Sequence, residues 1–174
     1  MQKYDFLLKT VVLAIIIFCF VVVLKTEAKS IEAKDFIEKA SISNLFEIES
    51  SKVALKKSQN NNITEFAQHM IKDHLTLGSE LESTMQETGL DASFIKGTLD
   101  KKHNKILSKL QKKSIKDFDK EYVSVQIDAH KDAIKLFQDY SKNGDSLTLR
   151  NFAKKKLPLL EQHYEKAKKV KSAL

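Results

Sequence analysis

"FAQHMIKDHLTLGSEL", residues 66–81, decides the fold. Its apolar positions Ala67, Met70, Leu77 and Leu81 are spaced 3, 7 and 4 apart, and His74 completes the 3-4-3-4 seam of an amphipathic helix. His74 therefore belongs to the buried stripe. Asp73 lies about 100° to one side at 3.6 residues per turn. His69 stands one turn before Asp73 on that same flank.

Working outward, four Gly and one Pro in 174 residues leave long runs of good helix formers almost unbroken. These runs predict an all-α chain. A first long helix spans residues 31–59, and "QNNN" (59–62) ends it, with Asn62 and Glu65 as a capping box for the second. The second runs to about Glu87, where "TGLD" (88–91) stops it. A long connection follows, holding a shorter helix around "LDKKHNKILSKLQKK" (99–113), and His103 in it is read as exposed. Ser114 and Asp117 cap a third long helix from Ile115 to about Tyr140. "KNGD" (142–145) turns the chain, and Asp145 or Ser146 caps the last helix, which carries Pro158 and should kink there. Two antiparallel hairpins joined by one crossover with a short extra helix are the layout of a ferritin-like four-helix bundle.

The first 28 residues differ in kind. Lys3 and Lys9 precede 14 uninterrupted apolar residues (11–24), and Thr26 and Ala28 stand at the −3 and −1 positions of a small-residue cleavage site. This is the pattern of a secretory signal peptide, with an N-terminal membrane anchor as the alternative. Residues 29–174 would then form a single bundle domain outside the cytoplasm, periplasmic or membrane-anchored. Cys19 is the one cysteine and lies within the apolar run, so the bundle holds no disulfide. Without the three lysines and two acids of residues 1–28, the chain carries a net charge of +6. Late lysine runs such as "AKKKLP" (153–158) read as solvated helix faces, with weak association with anionic envelope surfaces as the functional alternative. No aromatic residues alternate with these lysines, which argues against nucleic acid as a partner.

Each long helix places one titratable residue on its apolar stripe. In the first helix the stripe is Phe36, Ile37, Ala40, Asn44, Glu47, Ser51, Ala54 and Leu55, with Glu47 at its middle. The others contribute His74, His130 and His163. Counted from the turns, Glu47 and His74 are level. His163 lies five residues deeper than His130, ~7.5 Å at helical rise. Buried ionisable groups must be paired or hydrogen-bonded. Glu47, His74, His130 and His163 meeting at mid-bundle fit one divalent transition metal, whether zinc, iron, manganese or copper. Glu49, Asp73 and Tyr122 would orient those ligands. The competing reading is a buried His/Glu hydrogen-bond network without metal, in a structural or interaction module. No catalytic residue is assigned. An enzyme with a mononuclear metal needs an open coordination position and a substrate cleft, and neither is visible in the residues. A di-iron centre needs Glu-x-x-His pairs, and Ile127 and Leu160 stand where those glutamates belong.

Four segments carry a resemblance. "NLFEIESSKVAL" (44–55), "FAQHMIKDH" (66–74), "YVSVQIDAHKDAIKLF" (122–137) and "FAKKKLPLLEQH" (152–163) resemble the motifs of the exported bacterial domain of unknown function 4142. The resemblance runs from about Asp35 to Lys166 and implies a ferritin-like bundle and export, with no established reaction. It places Glu47, Glu49, Asp73, His74, Tyr122, His130, Pro158 and His163 in the family's motifs. Where the family has Asp directly before the later histidine, this chain has Ala129, with Asp128 one residue earlier.

Overall fold

The computed structural model describes residues 30–174; the signal-peptide reading of residues 1–28 lies outside them. Five helices follow in order: α1 (Ala33–Lys57), α2 (Asn61–Thr88), α3 (Lys101–Lys112), α4 (Ile115–Asn143) and α5 (Leu147–Ser172), with a 3₁₀ turn at Ala92–Phe94 before α3. Among the described residues no helix is long and apolar enough to cross a membrane.

Local chemistry sets the helix ends. Asn60 caps α2, its side chain accepting from the Asn62 N–H at 2.9 Å. This corrects Asn62 as the expected cap, because α1 already stops at Lys57 and the turn begins sooner. Gly89 ends α2 in the left-handed region at φ 67°, where a side chain would be strained. Ser114 caps α4 by accepting from the Asp117 N–H, and its hydroxyl donates to the Asp117 carboxylate at 2.8 Å. Ser146 rather than Asp145 caps α5. Pro158 lies inside α5, which continues across it as one element.

Each of the four long helices packs on two others. α1 contacts α2 and α4, while α5 contacts α2 and α4, so the order around the bundle is α1, α2, α5, α4. The segment between α2 and α4 runs the length of the bundle, with α3 laid on α1. Lys57 fastens its far end by donating to the carbonyls of Gln111 and Lys113. His103 in this segment is a correction: it is half-buried, bonded to Asp100 at 2.7 Å, and it covers Phe46 with ring centroids 5.0 Å apart. Leu55 is another correction: it is 37% exposed near the end of α1, while Phe46 and Ile48, outside the expected stripe, are buried.

The apolar core comes in two pieces. One gathers Phe36, Leu77, Phe137, Tyr140, Phe152 and Leu160, and the other Ile63, Phe66, Met70, Phe118, Tyr122 and Ala167. Burial of each large side chain contributes about 1.5–3 kcal/mol. Between the two pieces lies a polar layer that includes Glu47, Ser50, His74, Gln126, His130 and His163, all buried.

The first described residues are tied to the far turn. The Ile31 N–H donates to the Asn143 carbonyl at 2.8 Å, and the Asp145 N–H donates to the Ile31 carbonyl at 3.0 Å. Gly144 sits in that turn because a Cβ there would stand 2.5 Å from the Tyr140 ring. That ring is fully buried and stacked on Phe36 at 4.1 Å, so it has no room to retreat. Gly144→Ala should destabilise the fold by about 1–3 kcal/mol through overpacking, read as a lower urea midpoint. An unchanged midpoint would mean the turn yields freely.

Candidate metal centre

The structure brings His74 of α2, His130 of α4 and His163 of α5 into one cluster. Their ring centroids are 5.4–5.5 Å apart in all three pairs. One ring nitrogen from each lies within 4.8 Å of one from each of the others. The depth mismatch expected for His163 closes for two reasons. First, α4 ends at Asn143 and α5 begins at Leu147, which leaves three residues of difference, ~4.5 Å. Second, Cβ bonds tilt toward helix N-termini, which moves the two antiparallel side chains toward each other.

Each imidazole is held by an acceptor outside the cluster. The Nδ1–H of His130 donates to the Gln126 carbonyl at 2.9 Å. The Nε2–H of His163 donates to the Asp73 carboxylate at 3.0 Å. The Nδ1–H of His74 donates to Oδ1 of Asn44 at 3.0 Å. A carbonyl and a carboxylate only accept, so these bonds fix which nitrogen carries the proton. The other nitrogens, Nε2 of His74, Nε2 of His130 and Nδ1 of His163, are buried and have no hydrogen-bond partner.

Asn44 has a conditional place. Midway between Lys57 and Asn61 is residue 59, and Asn44 and His74 are each 15 residues from it. With the turn one residue earlier than expected, Asn44 is level with His74 where Glu47 was expected. Gly78 makes this possible: a Cβ there would stand 2.9 Å from Nδ2 of Asn44. Asn44 was legible as a stripe residue, and a mid-helix glycine opposite it was the available signal for its role.

Glu47 is buried, and neither of its oxygens has a hydrogen-bond partner. Its Oε1 lies 3.5 Å from Nδ1 of His130, the nitrogen already bonded to Gln126, and it does not join the close group of three histidine nitrogens. Gln126 donates instead to Ser50 at 3.0 Å. Tyr122 shares a 2.8 Å hydroxyl bond with Ser51 on the same side of the cluster. Glu49 turns outward and pairs with Lys52 at 2.8 Å, away from the histidines. Asp73 is the one expected orienting residue that bonds a cluster ring directly. His69 reaches the same Asp73 oxygen at 3.2 Å.

Burial sets the protonation states. It holds the His74 ring well below the usual histidine range, reinforced by the His130 and His163 rings. It lowers His130 to about 4 and also lowers His163, with Asp73 opposing the latter shift. It pushes Glu47 up to about 8, only partly offset by the Gln126 amide. The three rings and the Glu47 carboxyl are therefore all mainly neutral at pH 7. Each of the three rings thus keeps one buried acceptor nitrogen to which no donor is bonded.

These shifts give a two-sided pH dependence for the metal-free protein. Between their folded values and 6.5 the histidines bind more protons unfolded than folded, so stability rises with pH there. Glu47 binds more folded than unfolded between 4.5 and about 8, so it makes stability fall as pH rises. Three histidines outweigh one carboxyl up to and slightly above 6.5, and at higher pH Glu47 dominates. The unfolding midpoint should peak near pH 6.5, and Glu47→Gln should abolish the decline on the alkaline side while keeping the acid limb. A midpoint flat from pH 5 to 8 would show that the cluster is not buried.

Solved structures share this fold. A DUF305 fragment from Deinococcus radiodurans superposes with a TM-score of 0.69 at 10% identity, over 81% of this chain and 95% of that one. CopM in its Cu(II)-bound form gives 0.67 at 16% identity, over 83% and 98%, and its Ag-bound form gives 0.63 at 16%, over 80% and 94%. No curated protein matches the sequence. The family described as Domain of unknown function (DUF4142) matches residues 23–170, a range that spans all four resembling segments: the chain belongs to the DUF4142 family.

Proposed function

We propose that this protein is an exported metal-binding bundle whose Nε2 of His74, Nε2 of His130 and Nδ1 of His163 hold one divalent transition-metal ion. The observation that carries the reading is the set of three buried, partnerless ring nitrogens, each on a ring whose N–H is bonded outward. Buried polar atoms without partners are rare in native proteins, and here three belong to rings whose centroids are 5.4–5.5 Å apart. Histidine ligands are typically held by a hydrogen bond from the other ring nitrogen to a carboxylate or carbonyl. Asp73, the Gln126 carbonyl and Asn44 supply those bonds. The hydrogen-bond network without metal is the weaker reading, because acceptors facing acceptors make no bond. Glu47 supports the layer from behind His130, as a neutral carboxyl rather than a fourth ligand.

Neutral imidazole donors suit copper, zinc and iron better than manganese, and the general affinity order places Cu(II) highest among divalent ions. CopM, of the same fold, is known in copper- and silver-bound forms. At that low identity the likeness concerns the fold, so the nitrogens of this chain carry the argument. An apolar cavity of about 200 Å³ reaches Asn44, Leu77 and Phe152 and leaves the three histidines outside its lining. Export rests on the pattern of residues 1–28, and the basic helix faces are assigned to solvent.

Metal content of the full chain, purified without a histidine tag or chelator, should be close to one transition ion per chain. His130→Ala should lose it. Gly78→Ala, which crowds Asn44, should keep the fold and weaken the ion about 10-fold or more, as for loss of other orienting partners. No ion in the wild type after incubation with zinc, copper, iron or manganese would leave a structural polar layer.

A further inference from the structure

The outer edge of the cluster holds a second constellation. His69 and Asp73 are one turn apart on α2, and Oδ2 of Asp73 lies 3.2 Å from Nε2 of His69 and 3.0 Å from Nε2 of His163. One ligand atom from each of the three residues lies within 4.8 Å of the others. Their burial is graded: the His69 side chain is 44% exposed, Asp73 22% and His163 1%. The His69 and His163 rings meet edge to face with centroids 6.0 Å apart.

An exposed Asp–His pair at i, i+4 is by itself a common surface contact of small energetic weight. Two features separate this one. A single carboxylate oxygen takes both imidazoles, and the second imidazole is the buried ring that packs 5.4 Å from His74 and from His130 and whose other nitrogen has no partner.

Resting on the buried site described above, we propose that His69 and Asp73, set against the His163 ring, form a solvent-facing station that captures a divalent transition ion and loads it into the buried three-histidine site. His69 Nε2 and the Asp73 carboxylate are the donors an arriving ion meets first, one nitrogen and one oxygen of the kind that binds copper or zinc. His163 stands directly behind these donors, its Nε2 3.0 Å from the same Asp73 oxygen and its ring 5.4 Å from both His74 and His130. One side chain thus joins the exposed pair to the buried cluster, an arrangement that suits passage of one ion inward.

Cu(II) uptake by the full chain, followed by stopped flow against a chromogenic chelator, tests this with His69→Gln, a substitution on the exposed face. The variant should bind Cu(II) in the buried site with nearly wild-type affinity but load several-fold more slowly. In His130→Ala, which disables the buried site, Cu(II) should still selectively broaden the His69 ring resonances in NMR. Equal loading rates in wild type and His69→Gln overturn the station and leave the buried site standing. Failure of Cu(II) to broaden His69 in His130→Ala likewise overturns the station alone. No ion bound by the wild type overturns both readings.

Discussion

Three imidazoles can face one another inside an apolar bundle only if each N–H is satisfied elsewhere. The rest of the polar layer follows from that constraint. His130 finds its acceptor in the carbonyl of its own helix, His163 in Asp73 of a neighbouring helix, and His74 in Asn44 across the first hairpin. Each acceptor in turn needs a place. Asn44 needs a glycine opposite it, Asp73 needs the flank of α2 rather than its buried stripe, and the Gln126 carbonyl needs His130 one turn on. The apolar core is divided in two by these requirements, and its two halves hold the polar layer level.

Most of the fold was legible in the sequence, because the helices are long and their breakers few. The 3-4 spacing around His74, the Gly89 stop, the Ser114–Asp117 cap and the KNGD turn each carry a local cause that acts without tertiary help. The errors lie where one residue of turn length matters. Counting from a turn centred one residue too late shifted the level of α1 against α2, and that shift put Glu47 opposite His74 in place of Asn44. Leu55 was misplaced because periodicity says nothing about where a stripe runs off the end of a bundle. His103 was misread because the partner it covers, Phe46, is far away in sequence.

The site was legible as a set of inward residues and not as a geometry. His74, His130 and His163 were found from stripe position alone, and Asp73 from its flank. Which nitrogen of each ring points inward depends on acceptors that only packing supplies. Glu49 shows the limit from the other side: two positions from Glu47 it lies on a different face, and a lysine three residues on takes it.

The sequence order of the three rings has a consequence for folding time. The α1–α2 and α4–α5 hairpins are local in sequence, and local contacts form early and fast. His74 belongs to the first hairpin, while His130 and His163 belong to the second, with the long α3 segment between them. The full trio therefore comes into existence only when the hairpins dock, the last and most non-local event. A nascent or half-folded chain presents at most two of the three rings, so under the proposed metal-binding reading tight coordination would report that the chain has finished folding.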